Sequence, residues 1–230
     1  MASRPEYDLN AFRSADPDAL LNRAIGSVFE PGSTFKVAII AAALNEGSVT
    51  PERIFDCERG LWMFQGRPLR DYHPAGELSV ADILKKSSNI GAAKVALTLD
   101  RGVLEQYLRA FGFGRPTGIQ LPGEEAGILR PAARWTPLSV SRIAMGHEVA
   151  VTSLQMLCLM ACVANEGRLL RPSVILRVVE PRGQTLAQFS PMEVGRPIRP
   201  ETARLMSRLL MRGTEPGGTG TRARVEGYTV

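Results

Sequence analysis

Pro31-Gly32-Ser33-Thr34-Phe35-Lys36, running into Val37-Ala38-Ile39-Ile40-Ala41-Ala42-Ala43-Leu44, decides how this chain reads. Pro31-Gly32 marks a sharp turn. The residues after it predict a helix from Ser33 to about Asn45, with Gly47 as its stop signal. That helix is apolar on all sides, the pattern of one buried at a domain centre. Ser33 and Lys36 lie three apart and therefore share a face. A lysine there is costly to bury charged, which lowers its pKa toward the neutral amine. A neutral amine against a serine hydroxyl is a general base against a nucleophile. The first turn adds free N–H groups and a positive dipole end, and both favour a developing oxyanion. Taken alone, S-x-x-K equally describes an N-cap serine followed by a solvated lysine.

Composition narrows the classes. The 230 residues are 44% hydrophobic and 22% charged, close to an average soluble globular protein and enough for one large domain or two small ones. The net charge of +5 comes from arginines spread along the chain. Such a surface suits a partner bearing carboxylates, or an anionic surface, and not nucleic acid in particular. Aromatics make up 6% of the chain without basic residues interleaved, which argues against a single-strand binding groove. Cys57, Cys158 and Cys162 are odd in number and form no C-x-x-C pair, so neither a disulfide framework nor a zinc signature is present. Cys158 and Cys162 share a helix face and read as core thiols. His73 and His147 form no ligand pattern, so no metal is expected. The longest apolar run, Val37 to Leu44, falls far short of the ~20 residues of a membrane span. No leader peptide is visible, and the first residues read as the middle of a longer protein.

Along the chain, residues 1–30 read as polar and loop-like. Gly60 to Gly66 holds short strands and turns. Ser79-Val80-Ala81-Asp82 is a capping pattern that opens a helix to about Lys86. Further helices are expected from Ile90 to about Leu99, Val103 to Phe111, Leu154 to Ala164 with Thr152 or Ser153 as cap, and Pro200 to Met211. Residues 114–139 are turn-rich. Val174 to Val179 reads as a strand, and Ala223 to Val230 as a strand just starting. Helices dominate and do not alternate regularly with strands, so the fold class is α+β.

A second constellation, Lys86-Ser87-Ser88-Asn89-Ile90-Gly91, lies between two of these helices. A short loop there projects Ser87 and Asn89 to one side, against the first helix. The bland alternative is that Ser87 or Ser88 only caps the helix that follows.

S-x-x-K followed by S-x-N is the signature of penicillin-binding transpeptidases and serine β-lactamases. Phe29-Glu30-Pro31-Gly32-Ser33-Thr34-Phe35-Lys36 resembles the class B penicillin-binding proteins, particularly their cell-division and sporulation branch. The resemblance extends to Phe111-Gly112-Phe113-Gly114, Leu121-Pro122-Gly123-Glu124, Val151-Thr152-Ser153-Leu154-Gln155 and Ala164-Asn165-Glu166-Gly167. Ala2-Ser3-Arg4-Pro5 through Asp8-Leu9-Asn10 is similar to the strand and loop that precede the catalytic helix in that family.

The resemblance implies a penicillin-binding transpeptidase-like α+β fold, helix-rich, with an antiparallel sheet left incomplete in this chain. It implies Ser33 as the acylated nucleophile and Lys36 as its base. Ser87 is implied as a proton relay, and Asn89 as the residue that positions substrate and restrains the lysine. The implied reaction is cross-linking of peptidoglycan stem peptides ending in D-Ala-D-Ala, with β-lactams acylating the same serine. No cofactor or metal is implied. Cell-division membrane proteins are implied partners, and the implied setting is a membrane-anchored parent with this domain outside the membrane. Two alternatives stay open: a β-lactamase or β-lactam sensor, and a non-catalytic binding or scaffold fragment.

The family's third motif, K-T-G, occurs nowhere in the chain. Residues 1–230 are therefore expected to be a partial transpeptidase domain that ends just before that strand, with low activity alone. His147-Glu148 is expected to make a structural hydrogen bond or to line the cleft. Gly217-Gly218-Thr219-Gly220-Thr221 lacks a phosphate-loop ending and reads as a loop before a strand.

Overall fold

The computed structural model describes residues 4–228. Two short helices, α1 (Pro17–Leu20) and α2 (Arg23–Gly26), lead to strand β1 (Val28–Phe29). A 3-10 turn, Gly32–Phe35, then enters α3 (Lys36–Glu46). Next come β2 (Ile54–Asp56), the hairpin β3 (Leu61–Phe64) and β4 (Arg67–Arg70), and β5 (Glu77–Ser79). Helices α4 (Val80–Lys86), α5 (Asn89–Ala96) and α6 (Arg101–Ala110) follow. The remainder comprises β6 (Ile128–Leu129), α7 (Ser139–Ala144), β7 (Val149–Thr152), α8 (Ser153–Ala164), β8 (Leu169–Leu170), β9 (Arg177–Val179), β10 (Thr185–Gln188), β11 (Glu193–Gly195) and α9 (Pro200–Met211).

Helix α3 is the centre around which the others pack. Every residue from Lys36 to Leu44 is buried, as an all-round apolar helix requires. It touches α4, α5, α6 and α9. Phe35, at its entry, packs against Phe113 with ring centroids 4.8 Å apart. Gly47 ends it in the left-handed conformation, φ 71°, and returns its N–H to the Ala43 and Leu44 carbonyls.

The strands among the described residues are all antiparallel. One three-stranded sheet runs β1-β7-β6, with Val28 opposite Thr152 and Ile128 opposite Ala150. It carries the chain into the Pro31-Gly32 turn. The hairpin β3–β4 pairs Leu61 with Arg70 and Phe64 with Arg67. Gln65 and Gly66 link it with φ of 50° and 73°, the two left-handed residues that a tight hairpin turn uses. The fold is α+β, helix-rich with small antiparallel sheets, as expected.

Several local expectations need correction. Residues before Gly32 are not all loop: Leu9–Ser14 forms a 3-10 helix, and α1, α2 and β1 follow. Arg4 to Asp8 forms no strand; Ala2 and Ser3 lie outside the described residues. Short capped segments with Asp16 and Asn22 side chains accepting at their N-termini make helices that a breaker count conceals. Helix α7 starts where the turn-rich residues 114–139 end and runs through a segment for which the sequence predicts no helix. Val174 to Leu176 lies outside β9, which begins at Arg177. Thr221–Ala223 is a 3-10 turn and no strand starts between Arg224 and Tyr228; Thr229 and Val230 lie outside the described residues. Thr152 is the cap of α8, in a reciprocal box with Gln155. Among the described residues, no helix is long and apolar enough to cross a membrane.

Candidate active site

The turn before α3 sets the first pair. Ser33 begins not in α-helix but in the 3-10 turn Gly32–Phe35, where the Lys36 N–H donates to the Ser33 carbonyl. Side chains at i and i+3 eclipse in a 3-10 turn, which stacks Lys36 over Ser33 more closely than an α-helix would. Lys36 Nζ lies 3.1 Å from Ser33 Oγ. Ser33 is exposed, whereas Lys36 is only 1% exposed. Gly32, at φ 59°, makes the entry, and its N–H donates to the Gly146 carbonyl at 3.2 Å. A Cβ on Gly146 would overlap the Gly32 backbone, so only glycine allows this approach.

The second pair comes from the junction of α4 and α5. Ser88, buried, is the N-cap of α5 and accepts from the Gly91 N–H at 2.9 Å. Capping is thus assigned to Ser88, and Ser87 is released for another role. Ser87 ends α4 in the left-handed region at φ 56°, where glycine is the usual residue. That conformation turns Ser87 toward α3: Lys36 Nζ is 3.0 Å from Ser87 Oγ and 2.6 Å from the Ser87 carbonyl. It also lies 2.8 Å from Asn89 Oδ1. Gly91 lets α5 press onto α4, since a Cβ there would collide with Ile83.

Ser33, Lys36, Ser87 and Asn89 are therefore brought together around one nitrogen. An ammonium has three N–H groups, fewer than the four oxygens that surround it. The neutral amine likewise makes three bonds to these four oxygens. Its two N–H groups match the Ser87 carbonyl and Asn89 Oδ1, which leaves its lone pair for the Ser33 hydroxyl. Burial pushes the Lys36 pKa down from 10.5 to about 8, while the charge of Asp71 opposes the fall.

Asp71, just after β4, was not legible from any motif. Its carboxylate accepts from Ser88 Oγ at 2.6 Å, from the Ile90 N–H at 3.0 Å and from the Asn89 N–H. It thereby holds the start of α5, where a negative charge also meets the favourable end of the helix dipole. Asn89 Nδ2 donates to the Arg70 carbonyl at 2.9 Å, so its Oδ1 is fixed toward Lys36. The only available signal was an isolated Asp at the end of a hairpin, which has no sequence signature of its own.

Ser33 and Ser87 open onto a cleft of about 1070 Å³ walled by α8, α9 and the Gly213 to Gly220 segment. Met156, Leu157 and Met160 make its far wall largely apolar. His147 Nδ1 is 2.8 Å from Glu30 Oε2, and Glu30 Oε1 accepts the Glu148 N–H at 2.9 Å. The pair braces the entry turn; among the described residues its side-chain hydrogen bonds are to each other and to the Glu148 N–H, not to Ser33 or Lys36. Cys162 is buried and Cys158 half-buried; burial raises both thiols, to about 12 and about 11. Among the described residues, no cluster of three or more His, Cys, Asp or Glu is placed to hold a metal ion.

The family model described as the penicillin-binding protein transpeptidase domain matches residues 1–230. The chain belongs to this family. It is 33% identical over its whole length to stage V sporulation protein D of Bacillus subtilis, of which it covers 36%. It is 29% identical, again over its whole length, to the peptidoglycan D,D-transpeptidase FtsI of Escherichia coli, of which it covers 37%. The chain thus spans little more than a third of these relatives. Among solved structures, it resembles the transpeptidase domain of Burkholderia pseudomallei penicillin-binding protein 3 at a TM-score of 0.82 and 30% identity, covering 90% of this chain and 60% of that one. Penicillin-binding protein 3 of Mycobacterium tuberculosis, solved with aztreonam, gives a TM-score of 0.82 and 28% identity over 90% of this chain and 48% of that one.

Proposed function

We propose that the protein carrying this chain is a D,D-transpeptidase of peptidoglycan synthesis, acylated at Ser33 by its peptide substrate and by β-lactams. One observation carries the proposal: the buried Lys36 Nζ lies within hydrogen-bond distance of Ser33 Oγ, Ser87 Oγ and Asn89 Oδ1 together. The family membership and the names of the relatives supply the substrate class.

Lys36, as neutral amine, takes the Ser33 hydroxyl proton while Oγ attacks the carbonyl of the penultimate D-Ala. The bond to the terminal D-Ala breaks, and its nitrogen receives a proton through Ser87 Oγ. An amine from a neighbouring stem peptide then attacks the acyl-enzyme. It gives up its proton along the same path and frees Ser33. General-base assistance of this kind contributes roughly 10²- to 10⁴-fold. Asn89 keeps Lys36 pointed at Ser33. Residues 1–230 hold two of the family's three motifs, so the whole activity is assigned to the full-length protein, working at the outer face of the cytoplasmic membrane.

Labelled penicillin tests this. The full-length protein is expected to form a covalent adduct on the peptide containing Ser33, and Ser33→Ala to form none. Undiminished labelling in Ser33→Ala would place the nucleophile elsewhere. Rapid turnover of a chromogenic cephalosporin would favour a β-lactamase instead.

A further inference from the structure

Beyond α9 the chain turns back as a closed loop, Arg212 to Gly220. The Gly218 N–H donates to the Glu215 carbonyl at 2.9 Å, and the Gly220 N–H to the Gly213 carbonyl at 2.8 Å, so the two ends meet. Gly213, Thr214, Thr219 and Gly220 of this loop line the same cleft as Ser33 and Ser87. Four of its nine residues are glycine, which leaves few side chains to hold it by packing. Polar contacts have to set its place.

Three contacts tie the loop to α4. Glu215 Oε2 lies 3.0 Å from Lys85 Nζ and 3.8 Å from Arg212 Nε. Arg212 Nη2 in turn lies 2.8 Å from Asp82 Oδ1, and the other oxygen of Asp82 accepts from Ser79 Oγ, the N-cap of α4, at 2.7 Å. Two cations and two carboxylates thus form one network from the start of α4 to its end. The Lys85 side chain is only 14% exposed, so water and salt screen its pair less than an ordinary surface bridge. The third contact is main chain: the Thr219 N–H donates to the Lys85 carbonyl at 3.3 Å. That carbonyl stands in the last turn of α4, where a helix leaves its acceptors without internal partners.

Lys85 stands two residues before Ser87. Its side chain and its carbonyl hold the loop, while Ser87 meets Lys36 Nζ with its Oγ at 3.0 Å and its carbonyl at 2.6 Å. The end of α4 is therefore a common support for the proton relay and for a wall of the cleft. We propose that Glu215 is a positioning residue for acylation: through Lys85 it fixes the Thr219–Gly220 wall against the end of α4 that carries Ser87. The assignment rests on the function proposed above, which supplies the acylation step. Glu215 is not among the residues that line the cleft, so it acts through its partner and not on the substrate.

The test uses the full-length protein and labelled penicillin over a range of concentrations, which separates non-covalent affinity from the rate constant of acylation. Glu215→Gln and Lys85→Met are each expected to lower that rate constant about tenfold, since a small displacement of a positioned group costs that much or more. The final extent of labelling is expected to stay complete in both. The double variant is expected to be no slower than the slower single variant, because the two residues act as one pair. An unchanged rate constant in Glu215→Gln overturns the proposal. So does a double variant whose loss is the product of the two single losses, which would make the residues independent. Incomplete labelling at an unchanged rate constant also overturns it, since that marks a fraction of unfolded protein and a purely structural role. Absence of labelling in the unmodified protein defeats the transpeptidase reading and this assignment with it, a result distinct from labelling that Glu215→Gln leaves unaltered.

Discussion

Lys36 Nζ lies 2.8 Å from Asn89 Oδ1, two side chains 53 residues apart in the chain. Asn89 is itself fixed, because its Nδ2 donates to the Arg70 carbonyl. The amine is thus aimed at Ser33 by a contact that reaches across two helices. Only its neutral form has a lone pair to accept the Ser33 proton. Burial brings its pKa down from 10.5 to about 8. Acylation by labelled penicillin is therefore expected to rise about tenfold per pH unit well below that value and to level off above it. A rate that stays flat from pH 6 to pH 9 would remove Lys36 as the base.

The same burial predicts a stability signature. The folded Lys36 titrates near 8, and the unfolded chain near the ordinary value of 10.5. Between these values the unfolded state binds more protons, so stability rises with pH across that window. Below it both states are charged and the cost of burying the ammonium is present in full. The span corresponds to about 3 kcal/mol for the one group. Lys36→Met removes the titration while keeping the volume of an unbranched side chain. Denaturant unfolding of the two proteins is expected to show the unmodified protein gaining on the variant between pH 8 and pH 10.5. Parallel curves would mean that Lys36 is not desolvated.

Ser87 occupies a position that favours glycine. Its φ of 56° in a residue with a Cβ is a strained conformation, at a cost of about 1 kcal/mol. Ser87→Gly is expected to leave thermal stability unchanged or raise it, while penicillin acylation falls at least tenfold, because the Oγ 3.0 Å from Lys36 is gone. Retained acylation would show that the Ser87 carbonyl, 2.6 Å from the amine, suffices alone.

Gly146 joins the entry turn to the β7 side of the fold. Any Cβ there overlaps Gly32, whose N–H donates to the Gly146 carbonyl. Gly146→Ala is expected to shift the Pro31-Gly32 turn and to cost about 1–3 kcal/mol, since the residue also sits at φ 76°. Acylation should fall with it, by displacement of Ser33. Equal stability in urea unfolding would refute the close approach.

The sequence made the central helix legible for a simple reason. An unbroken apolar run after Pro31-Gly32 has few places to go but the core, and Lys36 is carried in with it. Ser87 and Asn89 were legible as members of a constellation, though their convergence on one nitrogen is a tertiary fact. The chain does not display which serine caps α5: Ser87 and Ser88 are equivalent until the left-handed turn at Ser87 separates them. The 3-10 character of Gly32–Phe35 was equally hidden, because the preference between two hydrogen-bond patterns over one turn is decided by packing. Asp71 follows a hairpin whose docking beside α5 leaves no trace in local periodicity. The last expected strand, from Ala223, rested on alternation alone, and no neighbouring strand pairs with residues 224–228.

Asp71 acts on two things at once, the start of α5 and the charge on Lys36. Its carboxylate accepts from Ser88 Oγ and from the N–H groups of Asn89 and Ile90, which places the start of α5. Asp71→Asn keeps the shape but removes the charge and points an amide N–H at those donors. Loss of that bonding is expected to cost about 1–3 kcal/mol in denaturant unfolding. Charge loss acts separately on Lys36. The Asp71 carboxylate holds the lysine pKa up against burial, so its removal lets that pKa fall further below about 8. The midpoint of the acylation profile should then move to lower pH in Asp71→Asn, even as the maximal rate falls with the displacement of Asn89. A purely structural role would lower the rate and leave the midpoint in place. A midpoint that moves to higher pH would mean that Asp71 does not act on Lys36 through its charge.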